Sequence, residues 1–152
     1  MKRISIIIFI AIVFSLCTSE IYAQCSCEPK LTLKEHFQRA DAVFVGRVIE
    51  AKKTQQDEAG NFEIIVKFEV TQTWKQDLNN FVIVKEINGS LNGFESNREW
   101  LLYASKDNDG TYLIFRGCCS RTKYLSVASK QGDLKAFKIM GEKPKKIIEK
   151  DK

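Results

Sequence analysis

"FEIIVKFEVTQTW", residues 62–74, decides the fold. Phe62, Ile64, Val66, Phe68, Val70 and Trp74 fall on one side of this stretch, with Glu63, Lys67, Glu69, Thr71 and Thr73 on the other. Only Gln72 breaks the apolar side and only Ile65 the polar one. Successive side chains of a strand point to opposite faces, so this alternation, held over 13 residues, predicts a long strand with one solvated face.

Working outward, "AVFVGRVIEAK" (42–52) is β-branched and apolar, with Gly46 at a place where a strand can bulge or coil sharply. "FVIVKEI" (81–87), "EWLLYA" (99–104) and "TYLIFRGCC" (111–119) read as three more strands, and "SKDNDG" (105–110) as a hairpin turn joining the last two. Ahead of them, "LTLKEHFQRA" (31–40) spaces Thr32 and Glu35 as a capping box and repeats Leu33, Phe37 and Ala40 at helical intervals. A further helix is expected near Ser126–Ala128 or Leu134–Met140. Five antiparallel strands with a long, coiled early pair suit a mainly β, five-stranded oligonucleotide/oligosaccharide-binding (OB) Greek-key barrel with one or two short flanking helices. A β-sandwich would need about seven strands.

The N-terminus has the layout of a secretory signal peptide. Lys2 and Arg3 precede the apolar block "ISIIIFIAIVFSL" (4–16), and polar residues follow up to Ala23. The block is shorter than the roughly 20 residues of a membrane span, which favours cleavage over an uncleaved anchor. The best cut follows Ala23 and leaves Gln24 ahead of Cys25. Residues 1–23 are thus a signal peptide, 24–140 one barrel domain and 141–152 a charged tail expected to fray. Without Lys2, Arg3 and Glu20 the formal charge falls from +5 to +4, an ordinary surplus for a soluble domain.

Cys17 leaves with the signal peptide, and Cys25, Cys27, Cys118 and Cys119 remain. An even number in an exported chain argues for disulfides. Pairing Cys118 with Cys119, or Cys25 with Cys27, would strain the ring, so the early pair is expected to bridge to the later one in either of two arrangements. Each bridge would close a loop of about 90 residues, for which chain entropy gives about 4 kcal/mol. Cys-x-Cys lacks the Cys-x-x-Cys spacing of thiol oxidoreductases, and the four cysteines lack the gaps of a structural zinc site. His36 is the only histidine and has no partner for triad or metal chemistry; on the first helix it reads as a solvated or capping side chain. Asp41, Glu50 and Glu69 are scattered acids. Phe62, Phe68, Trp74 and Tyr112 could form a stacking platform for nucleic acid, but alternation places the first three inside. "NGS" (88–90) is a glycosylation acceptor by pattern and equally a plain turn. No enzyme activity and no cofactor are called for.

Four segments together resemble the tissue inhibitors of metalloproteinases and their bacterial relatives in the netrin-like superfamily. They are "CSCEP" (25–29), "ADAVFVGRV" (40–48), "FEVTQTWK" (68–75) and "CSRTKYLSVA" (119–128). The likeness covers most of residues 25–128. It implies a netrin-like barrel that binds a protein partner, a zinc metalloprotease in the sharpest form. The α-amino group and carbonyl oxygen of Cys25 would chelate the target's zinc, the Ser26 side chain would enter its specificity pocket, and Cys27, Glu28 and Pro29 would complete the ridge. A catalytic zinc keeps one position open, and a neutral amine is a good ligand for it. The chain departs from the family at Asn92, where members usually carry the cysteine that pairs with the first N-terminal one. The extra Cys118 takes over that role by hypothesis, giving Cys25–Cys118 and Cys27–Cys119. If Gln24 stays attached, the Cys25 nitrogen is an amide and a very poor ligand. Other netrin-like domains bind partners without inhibiting them, so a non-inhibitory module at the cell surface or in the periplasm is the alternative. The mature protein is expected to be exported, monomeric, without a membrane span and without a nucleic-acid partner.

Overall fold

Thr32 and Glu35 form the capping box that the sequence announces. In the computed structural model, which describes residues 31–87, 89–116, 119–145 and 147, Thr32 Oγ1 accepts from the Glu35 amide and Glu35 Oε2 accepts from the Thr32 amide at 2.7 Å. The cap starts α1 (Leu33–Arg39), which turns Phe37 inward and ends at the buried Ala40.

Strands β1 (Ala42–Lys53), β2 (Glu63–Thr73), β3 (Phe81–Ile87), β4 (Glu99–Lys106), β5 (Tyr112–Leu113) and β6 (Lys123–Tyr124) follow, then helices α2 (Leu125–Gln131) and α3 (Asp133–Ile139). β1 pairs antiparallel with β2, β2 with β3, and β4 with β5; β3 and β5 run parallel, and β1 closes the ring on β4. The result is the closed five-stranded, OB-like barrel expected from the strand count, with β6 added along β4. Both candidate C-terminal helices are present, joined at Gly132 in the left-handed conformation (φ +81°).

β1 makes closure possible. It pairs with β2 and β4 at once, and its first residues are buried on both faces, one in the barrel interior and the other under the helices. Ala42, Phe44 and Val48 fill the barrel together with Ile64, Val66, Phe68, Val84, Leu102 and Ile114. Val43 and Val45 point the other way, into a second core with Leu101, Trp74, Phe37 and Phe137 under the helices. The register with β2 shifts between Val45 and Gly46, at the glycine where the sequence allows a bulge or a sharp coil.

Four details differ from the sequence reading. Alternation in β2 carries Phe62, partly buried, and Ile64 to Val70 into the barrel, but Trp74 lies past the strand end and packs 5.0 Å from the Phe137 ring in the second core. Thr73 is wholly buried and donates its hydroxyl to Gln76 O at 2.8 Å. The fifth strand is far shorter than 111–119: only Tyr112 and Leu113 form it, although the Ile114 amide still donates to Lys85 O at 2.9 Å and its side chain fills the barrel, and a sixth strand pairs Lys123 and Tyr124 with β4. Within the segment expected to fray, the Lys145 amide donates to Thr73 O at 2.7 Å and Ile147 packs on the barrel core.

Candidate functional site

The chemistry-bearing side chains gather at one end of the barrel, where α1 crosses β4 and the chain leaves β5. Glu86 begins it. In β3, Val82, Val84 and Glu86 face inward and Phe81, Ile83 and Ile87 outward, so a carboxylate occupies a core position. Arg116 meets it there. Its Nε lies 3.1 and 2.9 Å from the two Glu86 oxygens, its Nη2 donates to Oε2 at 2.7 Å, and its own amide donates to Oε1 at 3.0 Å. The same guanidinium donates to Asn92 O at 2.7 Å and to Ser90 O, and lies 3.9 Å from the Phe94 ring centre. A buried carboxylate is tolerated only when paired and hydrogen-bonded, and this one is both. Arg116 thereby ties the 90–92 loop to the barrel.

A second ion cluster lies beneath the helices. Asp133, buried at the start of α3, has Oδ1 3.5 Å from Arg121 Nη1 and Oδ2 3.1 Å from Lys123 Nζ. It fastens α3 to the segment that leads into β6.

Between the two clusters opens a cavity of about 360 Å³, walled by His36 and Arg39 of α1, Tyr103 of β4, and Phe115, Arg116 and Arg121 of the chain after β5. His36 stands edge-on to Tyr103, with ring centres 6.4 Å apart at 70°. Burial depresses the His36 pKa below the ordinary histidine value, and the positive charges of Arg121 and Arg39 add to this, so the neutral imidazole is favoured. Burial, with the nearby Asp133 charge, pushes the Tyr103 phenol far up, and its buried hydroxyl makes no hydrogen bond among the described residues. His36 is thus a half-buried wall residue rather than the solvated or capping side chain expected.

Cys119 lines the same cavity. It is the one cysteine among the described residues and is disulfide-bonded, so no pair has both ends there. Cys25, Ser26, Cys27, Glu28, Pro29 and Cys118 lie outside the described residues, as does Asn88 of the glycosylation pattern.

Two of the three scattered acids, Asp41 and Glu69, have structural partners, and Glu50 is exposed at the surface of β1. Asp41 Oδ2 accepts from the Lys106 amide at 2.7 Å, and Glu69 shares Arg47 with Glu99 at 3.5 Å each. Phe68 and Trp74 are buried, and Phe62 and Tyr112 partly so, which leaves these four rings without a common outward platform. Among the described residues, no helix is long and apolar enough to cross a membrane.

Sequence reasoning missed Glu86, Arg116, Arg39, Arg121 and Asp133. Glu86 carried a signal: it shares the parity of Val82 and Val84, and a charge on the apolar side of a strand requires a partner. The arginines carried none, since only the fold brings them to one place. No protein-family model and no curated protein sequence matches this chain.

Proposed function

We propose that this protein is an exported, disulfide-stapled, non-enzymatic barrel of the netrin-like type that binds another protein, with Cys25–Pro29 as its contact ridge. The observation that supports this is the disulfide-bonded Cys119 beside α1 at one end of a closed OB-like barrel. Only Lys30, Leu31 and Thr32 separate Pro29 from α1, so a bridge from Cys27 to Cys119 would hold the ridge at that end. Holding a ridge rigid before association lowers its ordering cost. In the sharp form the ridge inhibits a zinc metalloprotease: Cys25 chelates the target's zinc through its amine and carbonyl, and Ser26 fills the adjoining pocket.

The mature N-terminus tests this. Mass spectrometry of the exported protein gives the first residue, and the same material is assayed against the catalytic domain of a zinc endopeptidase. A chain beginning at Cys25 should inhibit, and a chain retaining Gln24 should not, because its Cys25 nitrogen is an amide. Inhibition that persists with Gln24 attached rules out zinc chelation by that amine.

A second reading has its own observation. On the outer face of β3, Phe81 and Ile83 are about half exposed (51% and 52%), with Ile87 close behind, which leaves apolar surface where a soluble strand usually carries polar residues. A non-inhibitory partner could dock on that face, and Ile83→Lys should then abolish partner capture without touching the ridge.

A further inference from the structure

We propose that the cavity between α1, β4 and the chain after β5 is a binding site for a small organic carboxylate, its charged end on Arg39 and Arg121 and its apolar body against Phe115 and Ala40. The cavity's size, about 360 Å³, falls within the roughly 300–1,000 Å³ typical of small-molecule sites. Its lining is basic and apolar at once, and no acidic side chain is among the described wall residues.

The arginines differ in what they have left to give. Arg116 is consumed by Glu86, Ser90 O and Asn92 O. Arg121 makes one long contact, 3.5 Å, to an Asp133 that also holds Lys123, so most of its five donors are free of that bond. Arg39 makes no hydrogen bond or ion pair among the described residues, and it lies on the exposed side of α1. A guanidinium fork matches a carboxylate edge in two parallel hydrogen bonds, and a wall of one charge sign raises the local concentration of the opposite ion. A bare inorganic ion would leave the apolar wall unused. Phe115, 61% exposed, and the His36–Tyr103 ring pair offer faces that an aromatic or aliphatic body would cover.

His36 reports on occupancy, being the only histidine in the chain. The charges around it are Arg39 and Glu35 on its own helix, Arg121 after β5, and Lys123 of β6, with the Tyr103 ring packed against it from β4. An anion held between Arg39 and Arg121 would favour the imidazolium and raise its titration midpoint.

The test is a proton NMR titration of the mature protein, following the His36 ring signal with acetate, benzoate and 3-phenylpropionate. The uncharged 3-phenylpropan-1-ol and inorganic phosphate are the controls. A saturable shift with 3-phenylpropionate is expected, tighter than with acetate, together with a rise of about half a unit or more in the His36 midpoint. Arg39→Gln, an exposed and structurally tolerant change, should weaken that binding about tenfold. The proposal is overturned if no carboxylate gives a saturable shift, if the alcohol or phosphate binds as well as 3-phenylpropionate, or if Arg39→Gln binds it unchanged. The outcome is independent of protease inhibition, which depends on the ridge.

Discussion

Gly46 stays opposite Trp100 of β4 while β1 slips its register against β2, and a Cβ built on it would lie 3.0 Å from both Cβ and Cδ1 of Phe68. Phe68 is fully buried and stacks edge-on to Phe44 and Phe94, so it has nowhere to retreat. Gly46→Ala should therefore cost about 1–3 kcal/mol through overpacking, read as a lower urea midpoint with an unchanged slope. The close approach, rather than an unusual backbone angle, is what excludes a side chain there. The residue was visible in the sequence as a glycine inside an apolar run. Its opposing ring was not, because the pairing of positions 46 and 68–70 is a long-range fact.

α1 is only seven residues long and has little intrinsic stability. It persists because its capping box satisfies the first amides and because Phe37 is buried, its ring centre 5.4 Å from that of Phe137. Thr32→Ala should cost about 1 kcal/mol in chemical denaturation, and exchange of the α1 amides should quicken by more than that of the β2 amides. The helix was legible because its signals are local: cap, spacing and apolar stripe lie within ten residues of one another. β5 was legible as a strand but not in its length. "TYLIFRGCC" has strand composition throughout, yet the strand itself is Tyr112 and Leu113, the Ile114 amide donates to Lys85 O at 2.9 Å, and Arg116 is drawn out of line to reach Glu86. A tertiary ion pair overrides local propensity there.

In the molecule as a whole, β1 serves two cores, the barrel interior through Phe44 and Val48 and the helix layer through Val43 and Val45. Phe137 is the centre of the second, with ring centres of Trp74, Phe37 and Tyr103 at 5.0, 5.4 and 6.3 Å. Phe137→Ala should cost about 3–5 kcal/mol in thermal or chemical unfolding. Loosening this layer should also slacken the cavity wall carrying His36 and Tyr103.

The sequence by itself determined the strand parity of 62–70, the start of α1, the break at Gly46 where β1 can bulge or coil and, through the strand count, the barrel class. Each rests on residues near one another in the chain, where periodicity and capping act. Only the tertiary structure decided that Trp74 serves the helix core, that Glu86 and Arg116 lock the 90–92 loop, and that Arg39, Arg121 and His36 share one cavity. Those facts depend on charges and rings separated by tens of residues. Burial, with its demand that each inward charge find a counter-charge, is what brings them together.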